Sequence, residues 1–155
     1  MANKFKIPQL DNAVKHAVKD ALSIIARDSV VHFQKSFANE GFIDENLQRW
    51  EKRKNYSRRG KANGGVRSVK KYRKILTFTG KLRRSIKITS FSMNTQTIES
   101  NMPYSAIHNE GLQGRAWGKY SFKMPKRKFM GNSKKLERLS QAKFIAKINT
   151  AIKNL

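Results

Sequence analysis

The sequence predicts an α+β fold: a long N-terminal helix, a small antiparallel β-sheet with an extended basic arm, and a C-terminal helix packed on the sheet. Three observations predict it. Apolar residues recur at helical spacing near both ends of the chain, β-branched and hydroxyl residues dominate a central stretch, and between the first helix and that stretch lies a lysine- and arginine-rich segment with neither period. The chain has 155 residues, enough for one hydrophobic core, so residues 1–155 are expected to form a single domain.

From about Leu10 to Phe37, residues Leu10, Val14, Ala17, Val18, Ala21, Ile24 and Ile25 fall on one helical face, with Lys15, His16, Lys19 and Asp20 on the other. Val30, Phe33 and Phe37 sit on a face rotated away from that stripe. Two readings stand: the last turns of one helix meet a different neighbour, another subunit among the candidates, or the helix ends near Arg27 or Ser29 and bends.

Between Asn39 and Lys74 the period disappears and Gly41, Gly60, Gly64 and Gly65 interrupt. Arg49, Lys52, Arg53, Lys54, Arg58, Arg59, Lys61, Arg67, Lys70, Lys71, Arg73 and Lys74 face one acid, Glu51. So little apolar area cannot offset the entropy of ordering the segment, so residues 49–74 read as an extended arm that orders against a partner. Trp50, Tyr56, Val66 and Tyr72 are its few anchors.

Ile86 and Ile88 lie in one strand register and Phe91 and Met93 in the other, which places a bulge near Thr89 and Ser90. With Asn94 between two strand-like runs, residues 86–93 and 95–100 read as a β-hairpin. Pro103 then opens a short helix through His108 that Gly111 closes, and residues 117–124 supply another strand. At the C-terminus Phe144, Ile145, Ile148, Ala151, Ile152 and Leu155 form a second helical stripe. Leu136 and Leu139 are out of phase with it, so either a short turn ends near Ser140 or the helix changes partner there.

Composition bounds the function. Lysine and arginine number 34 against 10 aspartates and glutamates, a formal net charge of +24. Solubility does not require so much, and a polyanion or a strongly acidic protein is implied as partner. The absence of cysteine excludes disulfides and thiolate metal sites and suits a reducing cytoplasm. The first residues contain no apolar core of signal-peptide length, and no apolar run is long enough to span a bilayer, so a soluble chain without an export signal or membrane partner is expected.

Catalytic chemistry finds little support. His16, His32 and His108 have no second ligand at a metal-binding spacing. His108 and Glu110 resemble a nuclease fragment, but Glu99 and Glu110 are the only acids between Lys52 and Lys135, a poor cage for a hard cation. Neither a nucleophile elbow nor a phosphate-binding loop occurs, and Ser85 has no partnered base. No enzyme activity, metal or cofactor is expected. The arm, with Trp50, Tyr56 and Tyr72 among its cations, has the composition of a nucleic-acid-binding segment; the competing reading is a solvated charge run.

Three ordered motifs carry a family resemblance. Lys74-Ile75-Leu76-Thr77-Phe78-Thr79-Gly80-Lys81-Leu82-Arg83-Arg84-Ser85-Ile86, then Tyr104-Ser105-Ala106-Ile107-His108-Asn109-Glu110-Gly111, then Pro125-Lys126-Arg127-Lys128-Phe129-Met130-Gly131 resemble the phage virion morphogenesis family of Mu-like phages. Its pattern looks like K-I-L-x-x-T-G-x-L-R-x-S-I, Y-A-x-I-H-x-x-G and P-x-R-P-F-L-G. With Phe33, Phe37 and Trp50 upstream, the resemblance covers roughly residues 30 to 135. Lys128 stands where the family has proline, a change expected to loosen that turn, and Ser105 where it has alanine.

The motif residues also read as structure. Thr79 is placed to cap a short helix whose Leu82 and Ile86 share a face, with Gly80 keeping the first turn uncrowded. Tyr104, Ile107 and His108 have helical spacing, which predicts His108 hydrogen-bonded beside the core. Phe129 anchors the loop into the last helix, with Ser133 as its cap.

The resemblance implies a non-enzymatic tail-completion or head–tail joining subunit of the virion neck or tail end, assembled in the host cytoplasm as a ring. A hexamer follows by analogy with phage tails, and the implied neighbours are connector and tail proteins and packaged DNA. Rings need two different surfaces per subunit, for which the out-of-phase residues Phe33, Phe37, Leu136 and Leu139 are the candidates. The rival reading is a small basic cellular nucleic-acid-binding protein of ribosomal type.

Overall fold

The computed structural model describes residues 8–52, 61–62, 65–66, 74–93, 95–116 and 118–154. The first helix, α1 (Pro8–Asn39), runs unbroken for 32 residues, about 48 Å at the usual helical rise. Pro8 occupies its first position, where no hydrogen bond is lost, and neither glycine nor a second proline interrupts it before Gly41. It ends because Glu40 adopts a left-handed conformation (φ 49°). That carries the chain into a hairpin of β1 (Gly41–Ile43) and β2 (Leu47–Arg49).

Two more two-residue strands, β3 (Lys61–Ala62) and β4 (Gly65–Val66), pair with each other. The short helix α2 (Lys81–Arg84) leads into the hairpin β5 (Ile86–Phe91) and β6 (Gln96–Ser100), whose register shifts between Ile88 and Ser90, where the sequence placed a bulge. Helix α3 (Ser105–Glu110) starts two residues after Pro103 and closes at Gly111. Strand β8 (Tyr120–Lys123), expected from the sequence, pairs with β7 (Gln113–Ala116), which was not. A loop over residues 124–133 enters α4 (Lys134–Lys153).

The expectation of one sheet covered by the C-terminal helix is corrected in two respects. The described strands form four separate antiparallel pairs, and α4 packs along α1. The reason lies in α1: Phe33 and Phe37 on its C-terminal turns enter the core, while Ala21 and Ile24, on the earlier stripe, face Ala146 and Thr150 of α4 across a shared groove. An ion pair between Lys143 and Asp28 joins the two helices.

The core gathers Phe33, Phe37, Phe42, Trp50, Ile75, Leu82, Ile86 and Phe129. Phe37 packs its ring edge-on to Trp50, with centroids 5.7 Å apart, and tilted against Phe129 at 5.2 Å. The rotated face of α1 therefore does meet a different neighbour, but inside the same chain. Phe33 and Phe37, expected at a subunit contact, are 8% and 0% exposed: they are core residues, because the aromatic face they form is sealed by Trp50 and Phe129.

Candidate functional site

The three motifs meet around one side of this core. Gln96 and Glu40 show how local chemistry holds the frame: the Gln96 amide donates to the Leu22 carbonyl on α1 (2.8 Å), fixing the β5–β6 hairpin against the helix. The Glu40 carboxylate accepts from the Ile75 backbone N–H (2.6 Å), and its carbonyl accepts from Trp50 (2.8 Å). One acid thus ties the end of α1 to the start of the first motif.

In that motif, Leu76 is held at φ 58°, a conformation a branched side chain rarely adopts, and Phe78, two residues on, is 75% exposed. The cap of α2 is Gly80 (φ 67°), not Thr79, whose hydroxyl only accepts a long bond from Lys81 N–H (3.4 Å). The left-handed turn needs glycine, so threonine one residue earlier cannot sit in the cap position. Leu82 and Ile86 are both buried, as their spacing predicted. Ser85 is buried and bonded to the Leu82 carbonyl and to the Ser100 hydroxyl, each at 2.7 Å, a structural arrangement joining α2 to β6.

The second and third motifs lock together. The Asn109 carbonyl oxygen accepts from the backbone N–H groups of Phe129 (2.9 Å) and Met130 (3.0 Å), while its amide donates to the Met130 carbonyl (3.2 Å). The Arg127 N–H donates to the His108 carbonyl (2.8 Å). Gly111 (φ 71°) lies so close to the third motif that a Cβ there would come within 2.9 Å of the Lys126 backbone. Trp50 Nε1 donates to the Lys128 carbonyl (2.7 Å), and the Ser36 hydroxyl reaches the Phe129 carbonyl (3.4 Å). Lys128, where the family has proline, has its ammonium 4.4 Å from the centre of the Phe42 ring and donates to the Asn132 carbonyl. Pro125 is half-buried, and Gly131 holds φ 131° beside the Lys128 side chain.

Between the motifs opens a cleft of about 500 Å³. Leu76, Thr79 and Leu82 line it from the first motif, Tyr104 and His108 from the second, and Arg127 from the third. Tyr104 and His108 stack edge-on at 5.9 Å. Burial, and secondarily the Arg127 charge, lower the His108 pKa from 6.5, which keeps the imidazole neutral. Its Nδ1 is buried without a hydrogen-bond partner among the described residues, so the expected hydrogen bond beside the core is not formed. Among the described residues no group of three or more potential metal ligands comes together. No described helix is long and apolar enough to cross a membrane.

A protein-family model for phage virion morphogenesis matches residues 33–146, from the aromatic end of α1 to the middle of α4. The chain belongs to the phage virion morphogenesis family. It is thus a component of the phage virion and a tail morphogenesis protein, with other virion proteins as partners. No curated protein and no solved structure gives a significant match. The cellular nucleic-acid-binding reading does not hold against this membership.

The other expected site residues divide. Arg49 and Lys52 are exposed at the start of the arm and Trp50 is buried, whereas Arg53, Lys54, Arg58, Arg59, Arg67, Lys70 and Lys71 lie outside the described residues. Lys61 is in β3. Leu136 is half-buried against the core, and Leu139 is 51% exposed. Sequence reasoning missed Glu40 and Asn109. Asn109 sits inside the second motif, and the signal was its place on the turn before Gly111; for Glu40 it was the Asn-Glu-Gly end of a long helix.

Proposed function

We propose that the chain is a non-enzymatic, ring-forming subunit of the neck or tail end that completes the tail or joins it to the head. The observation that carries this reading is the exposure of apolar side chains along α4. None of its described residues is buried, yet Leu139, Ile145 and Ile152 are each more than half exposed. Ile145 and Ile152 share one side of the helix and Leu139 lies on another, and exposed apolar residues of this kind are candidates for surfaces that other chains cover. A second apolar surface, Tyr120 and Phe122 on the β7–β8 hairpin, is also exposed. Two different surfaces are what a closed heterologous ring needs, and a hexamer is the proposed count by analogy with tail symmetry. In this reading the arm, residues 49–74, meets acidic connector or tail proteins or packaged DNA.

The test is native mass spectrometry of the protein, with electron microscopy of virions made by phage lacking its gene. The expected results are a closed hexamer that falls to monomers in the pair Leu139→Asp, Ile145→Asp, and unjoined heads and tails without the gene. Complete infectious virions in its absence would refute the assembly role; a monomer inside normal virions would refute the ring alone.

A further inference from the structure

The β7–β8 hairpin is built as an arm. Its strands pair from Gln113 opposite Lys123 to Ala116 opposite Tyr120, and among the described residues it makes no extensive contact with any other helix or strand. Alternate residues face opposite ways, so Gly114, Tyr120 and Phe122 share one side of the ribbon and Arg115, Ser121 and Lys123 the other. Glycine is required opposite Phe122, because a Cβ on Gly114 would stand 2.5 Å from the ring that lies over it. Even so, Tyr120 is 66% and Phe122 38% exposed. A two-stranded ribbon is marginal by itself in water, and an apolar side left open calls for a cover. A groove of about 1020 Å³, bounded by α1, β6, the end of α3 and the first turns of α4, has the complementary character. Its apolar lining includes the half-buried Ile98, Met130 and Leu136. Two acids, Glu110 and Glu137, balance its two lysines, Lys126 and Lys128, on a molecule that carries +24. Glu110 holds Lys126 at 3.3 Å, and the Lys128 ammonium is engaged by the Phe42 ring and the Asn132 carbonyl. Glu137 makes no ion pair among the described residues.

We propose that the β7–β8 hairpin of one subunit seats in this groove on a second copy of the chain, with Tyr120 and Phe122 against Ile98, Met130 and Leu136 and its cations toward Glu137. The proposal rests on the ring reading and adds to it the residues of the contact. Charge selects the occupant. Residues 113–123 contain three cations, Arg115, Lys119 and Lys123, and no acid. On so positive a molecule they meet least repulsion where acids and lysines cancel and the Glu137 carboxylate has no cation of its own. Nucleic acid has the opposite preference, since its phosphates are repelled by Glu110 and Glu137 and drawn to the cationic surface elsewhere. An acidic protein segment is disfavoured by the same two carboxylates. The groove has room for the end of a two-stranded ribbon, whose strands lie about 4.8 Å apart. The hairpin leaves the chain between Glu110 and Lys126, at the rim of the groove, and does not line the groove of its own subunit. The contact is heterologous, hairpin on one side and groove on the other, so it repeats head to tail. The turns of α4 that line the groove also carry Leu139, the exposed residue of the ring reading.

The chain has no cysteine, so single introduced thiols report contacts without interference. Full-length Tyr120→Cys and Ser140→Cys variants are mixed in equal amounts and oxidised mildly, and the disulfide-linked products are read by intact mass spectrometry. The mixed dimer is expected to exceed the two same-variant dimers together several-fold. In sedimentation, Tyr120→Ser and Glu137→Lys should each raise the concentration of half-assembly about tenfold, a loss of about 1.4 kcal/mol per contact, with circular dichroism unchanged. Statistical proportions of the three dimers, with assembly unaffected by Tyr120→Ser, would overturn the proposal and leave the ring to other surfaces. Predominant linkage of position 120 to position 120 would overturn it as well, by showing hairpin against hairpin. A closed pair of subunits that gives the mixed disulfide would uphold the hairpin contact and refute the ring. A protein that stays monomeric and yields no mixed disulfide would refute both.

Discussion

Asn109 shows what a single side chain does in this family's fold. Its amide closes three hydrogen bonds to the backbone of Phe129 and Met130, so that a six-residue helix and an irregular loop behave as one unit. Irregular loops have no ladder of their own, and their buried N–H groups need partners from elsewhere. Asn109→Ala leaves two N–H groups without an acceptor and is expected to cost about 2 kcal/mol. Asn109→Asp, which keeps the accepting oxygen, should recover a large part of it. Urea denaturation of the two variants checks this, and equal losses in both would show that the acceptor role is not what matters. Gly111 is required for a related reason: the left-handed turn and the Lys126 backbone leave no room for a Cβ.

Helix α4 is weakly built as an element. It has no buried described residue, so its position depends on its first turn and on the helix beneath it. The Ser133 hydroxyl accepts from Leu136 N–H (3.2 Å) and lies 2.8 Å from the Ile43 carbonyl, while the Asp44 carboxylate accepts from Lys134 N–H (2.7 Å). The cap thus anchors α4 to the β1–β2 hairpin as well as starting it. Ser133→Ala is expected to lower stability by about 1–2 kcal/mol, at the upper end of a helix cap because a bond to the hairpin is lost with it. Hydrogen exchange should show the loss first in α4 amides; uniform loss across α1 and α4 would mean that the two helices unfold together and that the cap has no local role.

At the scale of the whole molecule, the proposed ring would rest on apolar residues other than those that hold the fold. Phe37 is fully buried at the centre of the aromatic core and Leu139 is exposed on α4, so the two should separate in experiment. Phe37→Ala is expected to destabilise the monomer by about 3–5 kcal/mol. Leu139→Ser should leave monomer stability within about 0.5 kcal/mol, a usual value for surface positions, while weakening oligomers. Thermal unfolding and sedimentation of both variants decide it; an oligomer unaffected by Leu139→Ser would remove α4 from the subunit contact.

The sequence alone determined the elements whose signals are local. The helical stripes at both ends, the bulge between Ile88 and Ser90, the Gly111 stop and the Ser133 cap all follow from spacing or from backbone chemistry within a few residues. The three motifs carried the family, since their order and spacing survive in the linear chain. What only the tertiary structure decided was which apolar face meets which partner. The rotated stripe of Phe33 and Phe37 looks the same in sequence whether it awaits another subunit or an internal Trp50 and Phe129. The choice depends on a loop 92 residues beyond Phe37 folding back across it, as Trp50 bonding to the Lys128 carbonyl shows. For the same reason the cleft was not legible, because its lining comes from three segments that only the folded core brings together.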